Sequence, residues 1–507
     1  MPQEPTAVID LGSNSIRIVL YELGPRGIYR ELDDLKQMVR LNNYLDSRHV
    51  LSEEGIARTV RTIGEFKLLC DAYHVTQIIG VATQSVRVAV NRSVLLERIW
   101  NHTGIAFQVI TGEEEAQFGY LAAVNTLPYD TGMTVDIGGA STEITYFTKR
   151  QLRFRVSIPY GAMSLTQQYL QHDRVTAKDR QALEGAIRKE LDRLLWTIDA
   201  QGPVIGIGGT ARALARMHQR RTDYPLKTLH GYPMSSADVS TVLDMVRSTP
   251  VHKRHDISGL SRDRADIIEA GITIVDQLMK RAAAGAFVLS TKGIRDGVLL
   301  ERVLGRRDLE RWPDMLGNSI DYLMEHFHLN RDHAFHVWRM VDQLFSEMTE
   351  HQWMNGTFHR PLKAAALLHD MGSSISIYNT SSHTFYLLLQ VPMFGLSHRE
   401  RIIAAAIAAF KSPKQVGSLL RPYQTLLNAD EITAIHQLGV LLGLVRSLDR
   451  THRGAVTRLR LTAEGESWKI WVASERMSSL ELNIASDWVK RARRAFQREV
   501  ILEVEMP

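Results

Sequence analysis

The chain has 507 residues, 44% of them hydrophobic and 23% charged, which is too long for one core and ordinary for a globular protein of three or four domains. No apolar run approaches the roughly 20 residues of a membrane span, and the first residues lack the basic and apolar regions of a secretory signal, so a cytoplasmic protein without membrane contact is expected. The formal charge of +5 suits an anionic partner without demanding one, and a single cysteine, Cys70, excludes a disulfide framework and any multi-cysteine zinc site.

Residues 1–127 alternate strand and helix signals. A first strand ends at Asp10, apolar spacing predicts an amphipathic helix over about 53–73, and strands follow at 77–81 and 107–110. Cys70 shares a face of that helix with Ile56, Val60, Ile63 and Phe66, which makes it a packing residue rather than a nucleophile. Residues 128–305 repeat the plan: a strand into Asp136, a helix with Leu183, Ile187, Leu191 and Leu194, and a strand running into Gly208-Gly209-Thr210. From 306 to 453 helical spacing dominates, and 11 of the 19 histidines fall between His326 and His452. Residues 454–507 form a small α+β tail, with strands predicted at 458–462, 468–472, 480–484 and 500–504 and a helix near 488–498. The basic run Lys490-Arg491-Ala492-Arg493-Arg494 lies on that helix without a repeated aromatic pattern; it reads as a solvated face, and no specific nucleic-acid partner is expected.

Two loops carry the chemistry. Asp10-Leu11-Gly12-Ser13-Asn14-Ser15 and Asp136-Ile137-Gly138-Gly139-Ala140-Ser141-Thr142 each take an apolar strand into an Asp and then into a turn of glycine and small hydroxyl residues. Glycine lets a backbone approach an anion closely, hydroxyls add donors, and an Asp at a strand end can hold a divalent cation. Two such loops in corresponding halves suggest a cleft that grips phosphate from both sides. Between them lies Gly112-Glu113-Glu114-Glu115-Ala116, where acids at a helix start either serve the helix dipole or place a base beside the phosphate.

These loops, with Ala82-Thr83-Gln84-Ser85-Val86-Arg87, Gly208-Gly209-Thr210-Ala211-Arg212, Arg264-Ala265-Asp266-Ile267-Ile268 and Gly293-Ile294-Arg295-Asp296-Gly297, resemble the exopolyphosphatase/guanosine pentaphosphate phosphatase family of the actin and sugar-kinase superfamily. The resemblance implies two duplicated actin-like, ribonuclease H-like α/β domains. It implies Glu115 as the base that activates water, Arg87 and Lys36 as phosphate-neutralising cations, and Mg2+ or Mn2+ held by Asp10, Asp136 and Glu143. Gly12, Ser13, Asn14, Ser15, Gly138, Gly139, Ser141, Gly209 and Thr210 would then bind substrate. Two departures stand out: Ala140 replaces a third glycine, and Asp296 replaces the usual Glu.

In the helical segment, His333, His369-Asp370 and Asp449 occur in the order of the HD phosphohydrolase-like domain and imply a second divalent metal ion. Phe410-Lys411 stands where a Tyr-His pair is familiar, so extra ligands of bimetal relatives are expected to be absent. The resemblance implies release of the terminal phosphate of inorganic polyphosphate by a homodimer. Hydrolysis of guanosine pentaphosphate, a non-catalytic polyphosphate or alarmone sensor, and an ATP-dependent kinase are the alternatives.

Overall fold

The computed structural model describes residues 5–24, 29–170, 175–194, 202–303, 305, 314–465, 467–474 and 478–505, and the chain divides into two compact units, 1–313 and 314–507. None of the described helices is long and apolar enough to cross a membrane.

The first unit holds two sheets. The first contains β1 (Thr6–Leu11), β2 (Ile16–Leu23), β3 (Tyr29–Gln37), β4 (Gln77–Ala82) and β5 (Phe107–Val109) in the order β3-β2-β1-β4-β5. The second contains β6 (Gly132–Ile137), β7 (Thr142–Thr148), β8 (Gln151–Ile158), β9 (Val204–Ile207), β10 (Pro233–Ser235) and β11 (Ala286–Leu289) in the order β10-β11-β9-β6-β7-β8. In each, the first three strands form an antiparallel meander, and the first strand pairs in parallel with the next, which pairs in parallel with another. Only the antiparallel edge strand β10 lacks a counterpart. Apart from β10 the two halves share one strand plan, and in such open α/β sheets ligands bind beyond the strand ends.

Apolar strand sequence explains the burial. Ala7, Val8 and Ile9 of β1 and Met133 and Val135 of β6 are all at most 2% exposed, as expected of central strands covered on both faces. The helix Gly112–Val124 is the shared wall between the halves: Phe118, Tyr120 and Leu121 pack with Val8 and Val81 of one sheet and Ile205 and Val288 of the other. Each such fully buried side chain contributes roughly 1.5–3 kcal/mol, so this helix is anchored firmly enough to carry a buried acid at its start. The helix Glu53–Ala72 forms as predicted, with Ser52 as its cap and Cys70 fully buried, its thiol pushed up to about 11 by burial.

The second unit packs helices around His359–Leu368, His398–Ala408 and Ala429–Leu448, followed by a sheet of β12 (Val456–Glu464), β13 (Ser467–Ser474) and β14 (Glu499–Glu505) in that order. One prediction fails here. Residues 480–484 belong to the helix Ser479–Phe496, not to a strand: Ser478 and Glu481 form a capping box, and Thr451 donates to Glu481 at 2.6 Å. The basic run lies on this helix with Lys490, Arg491, Arg493 and Arg494 exposed and Ala492 buried.

Two glycines test the packing in opposite directions. A Cβ on Gly297 would lie 2.1 Å from the backbone oxygen of Phe118, whereas one on Gly185, in the helix Ala177–Arg193, would meet nothing within 4 Å. Gly297→Ala should destabilise the protein by roughly 1–3 kcal/mol through overpacking. Gly185→Ala should stabilise it by roughly 0.5–1 kcal/mol, both read from urea unfolding midpoints.

Candidate functional site

The two loops close in the same way. Gly12 N–H donates to Ser15 O at 3.2 Å, and Gly138 N–H donates to Ser141 O at 2.9 Å. These two glycines therefore spend their amides inside the turn and cannot offer them to phosphate. What they supply is room, since a Cβ would sit 3.0 and 3.1 Å from those same oxygens. The next amides, of Ser13, Asn14, Gly139 and Ala140, make no hydrogen bond among the described residues and form the two anion nests. The second loop is braced from behind, where Ala162 and Met163 at the start of the helix Ala162–Tyr169 donate to the carbonyls of Gly138 and Gly139.

Both loops line one cleft of about 380 Å³ between the halves. Of the residues predicted to act there, Asp10, Gly12, Ser13, Asn14, Ser15, Lys36, Glu115, Asp136, Gly138, Gly139, Ser141, Glu143 and Gly209 all line it. The three acids of the helix start separate cleanly. Glu114 closes a capping box with Thr111, Glu113 faces Arg155 at 3.6 Å, and Glu115 is buried on the cleft wall.

Four carboxylates share this space. Burial and then Asp10 push Asp136 up to about 6; burial and then Asp136 push Glu143 up to about 7, against donors from Ser157 at 2.7 Å and Ser141. Burial and the Glu143 charge hold Glu115 well above the ordinary carboxylate range, while Arg87 opposes them. Asp10 is raised by burial and held back by Arg295, which donates to its Oδ2 at 3.1 Å; its buried Oδ1 has no partner. Keeping Asp136 and Glu143 ionised at neutral pH costs about 3 kcal/mol each, which a divalent cation would offset. The orphaned Asp10 oxygen and the crowded acids thus fit a cation. Asp10, Asp136 and Glu143 do not, however, gather as a tight trio: among the described residues the only three ligand groups within 4.8 Å of one another lie elsewhere. Arg295 donates to Asp10 and Ser157 to Glu143.

A ring of cations completes the cleft. Arg17, Arg212, Arg216, Arg264 and Arg295 line it with Lys36 and Lys292. Arg212 is pulled down to about 10 by burial and by Arg17 and Arg295, the signature of positive charges assembled for an absent anion. Arg17 was missed from sequence, although register supplies a signal. Arg17 pairs with Asp10 across β1 and β2 as Glu143 pairs with Asp136 across β6 and β7, so one half presents a cation where the other presents an acid. Gly209 is a glycine because Arg264 crosses over it: a Cβ there would collide with the guanidinium.

Two expected residues are placed differently. Arg87 is not on the cleft surface; it donates to Ile110 O at 2.7 Å, to Gln84 at 3.1 Å and to Glu115 Oε2 at 3.4 Å, so it stands behind the acid as its counter-ion. Thr210 is buried against Gly271 and contributes no side chain to the cleft. Asp296 is also explained. It caps Gly293 N at 3.1 Å and meets Lys292 at 3.4 Å and Tyr29 at 3.3 Å, a packing role within reach of the shorter acid.

In the second unit, His333, His369 and Asp370 converge, and this is the group of three within 4.8 Å. Asp449 is not a fourth member. Its Oδ2 meets His333 Nδ1 at 2.7 Å, while His369 Nδ1 donates to Ala366 O at 2.7 Å, so each imidazole is oriented through one nitrogen and keeps Nε2 for a ligand. Arg446 holds the other oxygen of Asp370 at 2.9 Å. Phe410 packs against Gly439 and is no ligand.

A duplicated α/β cleft with paired anion nests, buried acids and converging guanidinium groups defines a phosphatase acting on a polyanionic phosphate. The chain belongs to the Ppx/GppA phosphatase family, whose profile matches residues 26–305, with that family's domain III matching residues 317–493. It is similar to the guanosine-5'-triphosphate,3'-diphosphate pyrophosphatase of Photobacterium profundum, at 26% identity over 447 residues and 86% of each chain. The solved Ppx/GppA family member of Aquifex aeolicus is 27% identical, covers 60% of this chain and 99% of its own, and superimposes with a TM-score of 0.55. An exopolyphosphatase from Cytophaga hutchinsonii shares the fold at 24% identity and a TM-score of 0.56, covering 60% of this chain and 98% of its own.

The raised acids give a pH prediction. In the folded protein Asp136 and Glu143 bind protons more tightly than when unfolded, so their contribution to stability is full below their ordinary values of 3.8 and 4.5 and is lost progressively as pH rises from there to about 6 and 7. With a chelator present, the unfolding midpoint should fall over that window, and Glu143→Gln should flatten the fall.

Proposed function

We propose that the chain is an exopolyphosphatase, releasing the terminal phosphate of inorganic polyphosphate by attack of water. The observation that carries this reading is the number of cations that line the cleft with the acids: Arg17, Lys36, Arg212, Arg216 and Arg264 provide charge for several phosphates rather than one. Among the described residues that line the cleft, none has an aromatic ring on which a base could stack. Hydrolysis of guanosine pentaphosphate is the second reading, supported by the activity for which the Photobacterium relative is named.

In this mechanism the terminal phosphate lies between the two nests, its oxygens facing the amides of Ser13, Asn14, Gly139 and Ala140. Glu115 accepts a proton from water as the new O–P bond forms. The bridging P–O bond breaks, and its electron pair stays on the shortened chain, where guanidinium groups receive the charge. A raised carboxylate is a stronger base than an ordinary one, and Arg87 orients Glu115 and favours its ionised form. Asp10, Asp136 and Glu143 would hold Mg2+ or Mn2+, which when bound supplies charge neutralisation at the transferred phosphate. His333, His369 and Asp370 would hold a second divalent ion, with Asp449 behind His333. The strand plan and the family support hydrolysis in the first unit, in a cytoplasmic enzyme that we expect to be a homodimer.

The test incubates the protein with long-chain polyphosphate, guanosine pentaphosphate or ATP, with and without Mg2+. Polyphosphate should release orthophosphate fastest, and Glu115→Gln should lower kcat by roughly 10²-fold or more. Absence of release from every substrate would remove the hydrolase reading. For the second unit, calorimetric titration with Mn2+ should show a site that disappears in His369→Ala while unfolding remains cooperative; an unchanged isotherm would remove it.

A further inference from the structure

Four of the five carboxylates that line the cleft are accounted for by the reaction, and one is not. Asp263 lines the same cleft as the two nests, next in sequence to Arg264. A fixed negative charge there works against the proposed substrate. Its partner is Lys36 of β3, with Nζ to Oδ2 at 3.4 Å and both side chains about one-third exposed (33% and 29%). The pair joins the two halves, because β3 belongs to the first sheet and Asp263 to the segment leading into the helix Ile268–Arg281 of the second.

The strand itself is held independently. Near the start of β3, Glu31 pairs with Lys292, which also meets Asp296 at 3.4 Å, and both Lys292 and Asp296 are buried. Lys36 can therefore change partners by swinging its four-carbon stem while the strand stays in place. A long, partly exposed ion pair is worth little. A phosphate oxygen is a better partner for an ammonium group, since charge-assisted contacts to phosphate are short and strong. Arg17 and Arg264 add their own repulsion on Lys36, which an incoming anion relieves.

We propose that Asp263 is a positioning residue that competes with bound phosphate for Lys36, weakening anion binding at this wall of the cleft so that the product leaves. Asp263 touches neither water nor the scissile bond; it acts through Lys36. On each cycle the ammonium passes from Asp263 to a phosphate oxygen and returns when orthophosphate departs, with no bond made or broken. This inference rests on the proposed phosphatase reading, and it deepens it by separating a residue that grips the chain from one that limits the grip.

The experiment uses the full chain and two probes, orthophosphate and tripolyphosphate, titrated calorimetrically with a chelator present so that binding is read without turnover. Asp263→Asn should tighten both by about five- to tenfold, as expected for removing a competing charge. In steady state the KM for polyphosphate and the inhibition constant of orthophosphate should fall together, with kcat not increased. In a Lys36→Gln background the same Asp263→Asn change should have no effect. Unchanged or weaker binding in Asp263→Asn overturns the inference, and so does an equal gain in the Lys36→Gln background, which would mean that Asp263 acts by charge alone. A wild-type protein that binds both probes but hydrolyses nothing would remove the phosphatase reading, and the titrations would still decide the role of Asp263.

Discussion

Everything in the first unit is arranged around acids that have been taken out of water. Strand ends deliver Asp10 and Asp136, β7 delivers Glu143, and a capped helix delivers Glu115, all into one cleft. Buried like charges raise one another, and without opposite charge the cost would be a large share of the 5–15 kcal/mol that typically holds a domain together. The guanidinium ring, the Arg295 contact to Asp10 and Arg87 behind Glu115 are the structural answer to that cost. The cleft consequently holds buried acids and converging guanidinium groups side by side.

Duplication explains how such a site can be built from ordinary α/β parts. The two halves share strand order and the four-residue turn that spends a glycine amide on a serine carbonyl. They diverge where chemistry requires it: opposite Asp10 stands Arg17, opposite Asp136 stands Glu143. One half supplies charge for the anion, and the other supplies an additional acid. The helix Gly112–Val124, packed on both sheets, fixes Glu115 relative to both loops at once.

The strands and both loops were legible because apolar runs ending in Asp and Gly are local patterns with a local cause. An acid beside the loops was legible from position and Glu115 from the family resemblance, and the capping box of Thr111 and Glu114 shows that Glu114 is turned to its own helix start. The cation ring was not legible as a set, since Arg17 on β2, Arg212 and Arg216 on the helix Gly208–Arg221 and Arg264 in a turn are brought together only by the tertiary fold. Arg87 was expected to neutralise phosphate because the family resemblance implied it, whereas here Ile110 O, Gln84 and Glu115 engage its guanidinium. At 480–484, Leu480, Leu482 and Ile484 alternate as a strand would; the Ser478 to Glu481 spacing was the contrary signal, and it prevails because two reciprocal hydrogen bonds start the helix. Asp449 likewise has a metal ligand's chemistry but spends it on His333.

The central claim is that water attacks the terminal phosphorus in the cleft beside Glu115. A single turnover of polyphosphate in 18O-labelled water, with the products resolved by mass spectrometry, tests it directly. The account predicts one 18O atom in the released orthophosphate and none in the shortened chain. Label in the remaining chain would place the attack on the neighbouring phosphorus and contradict it.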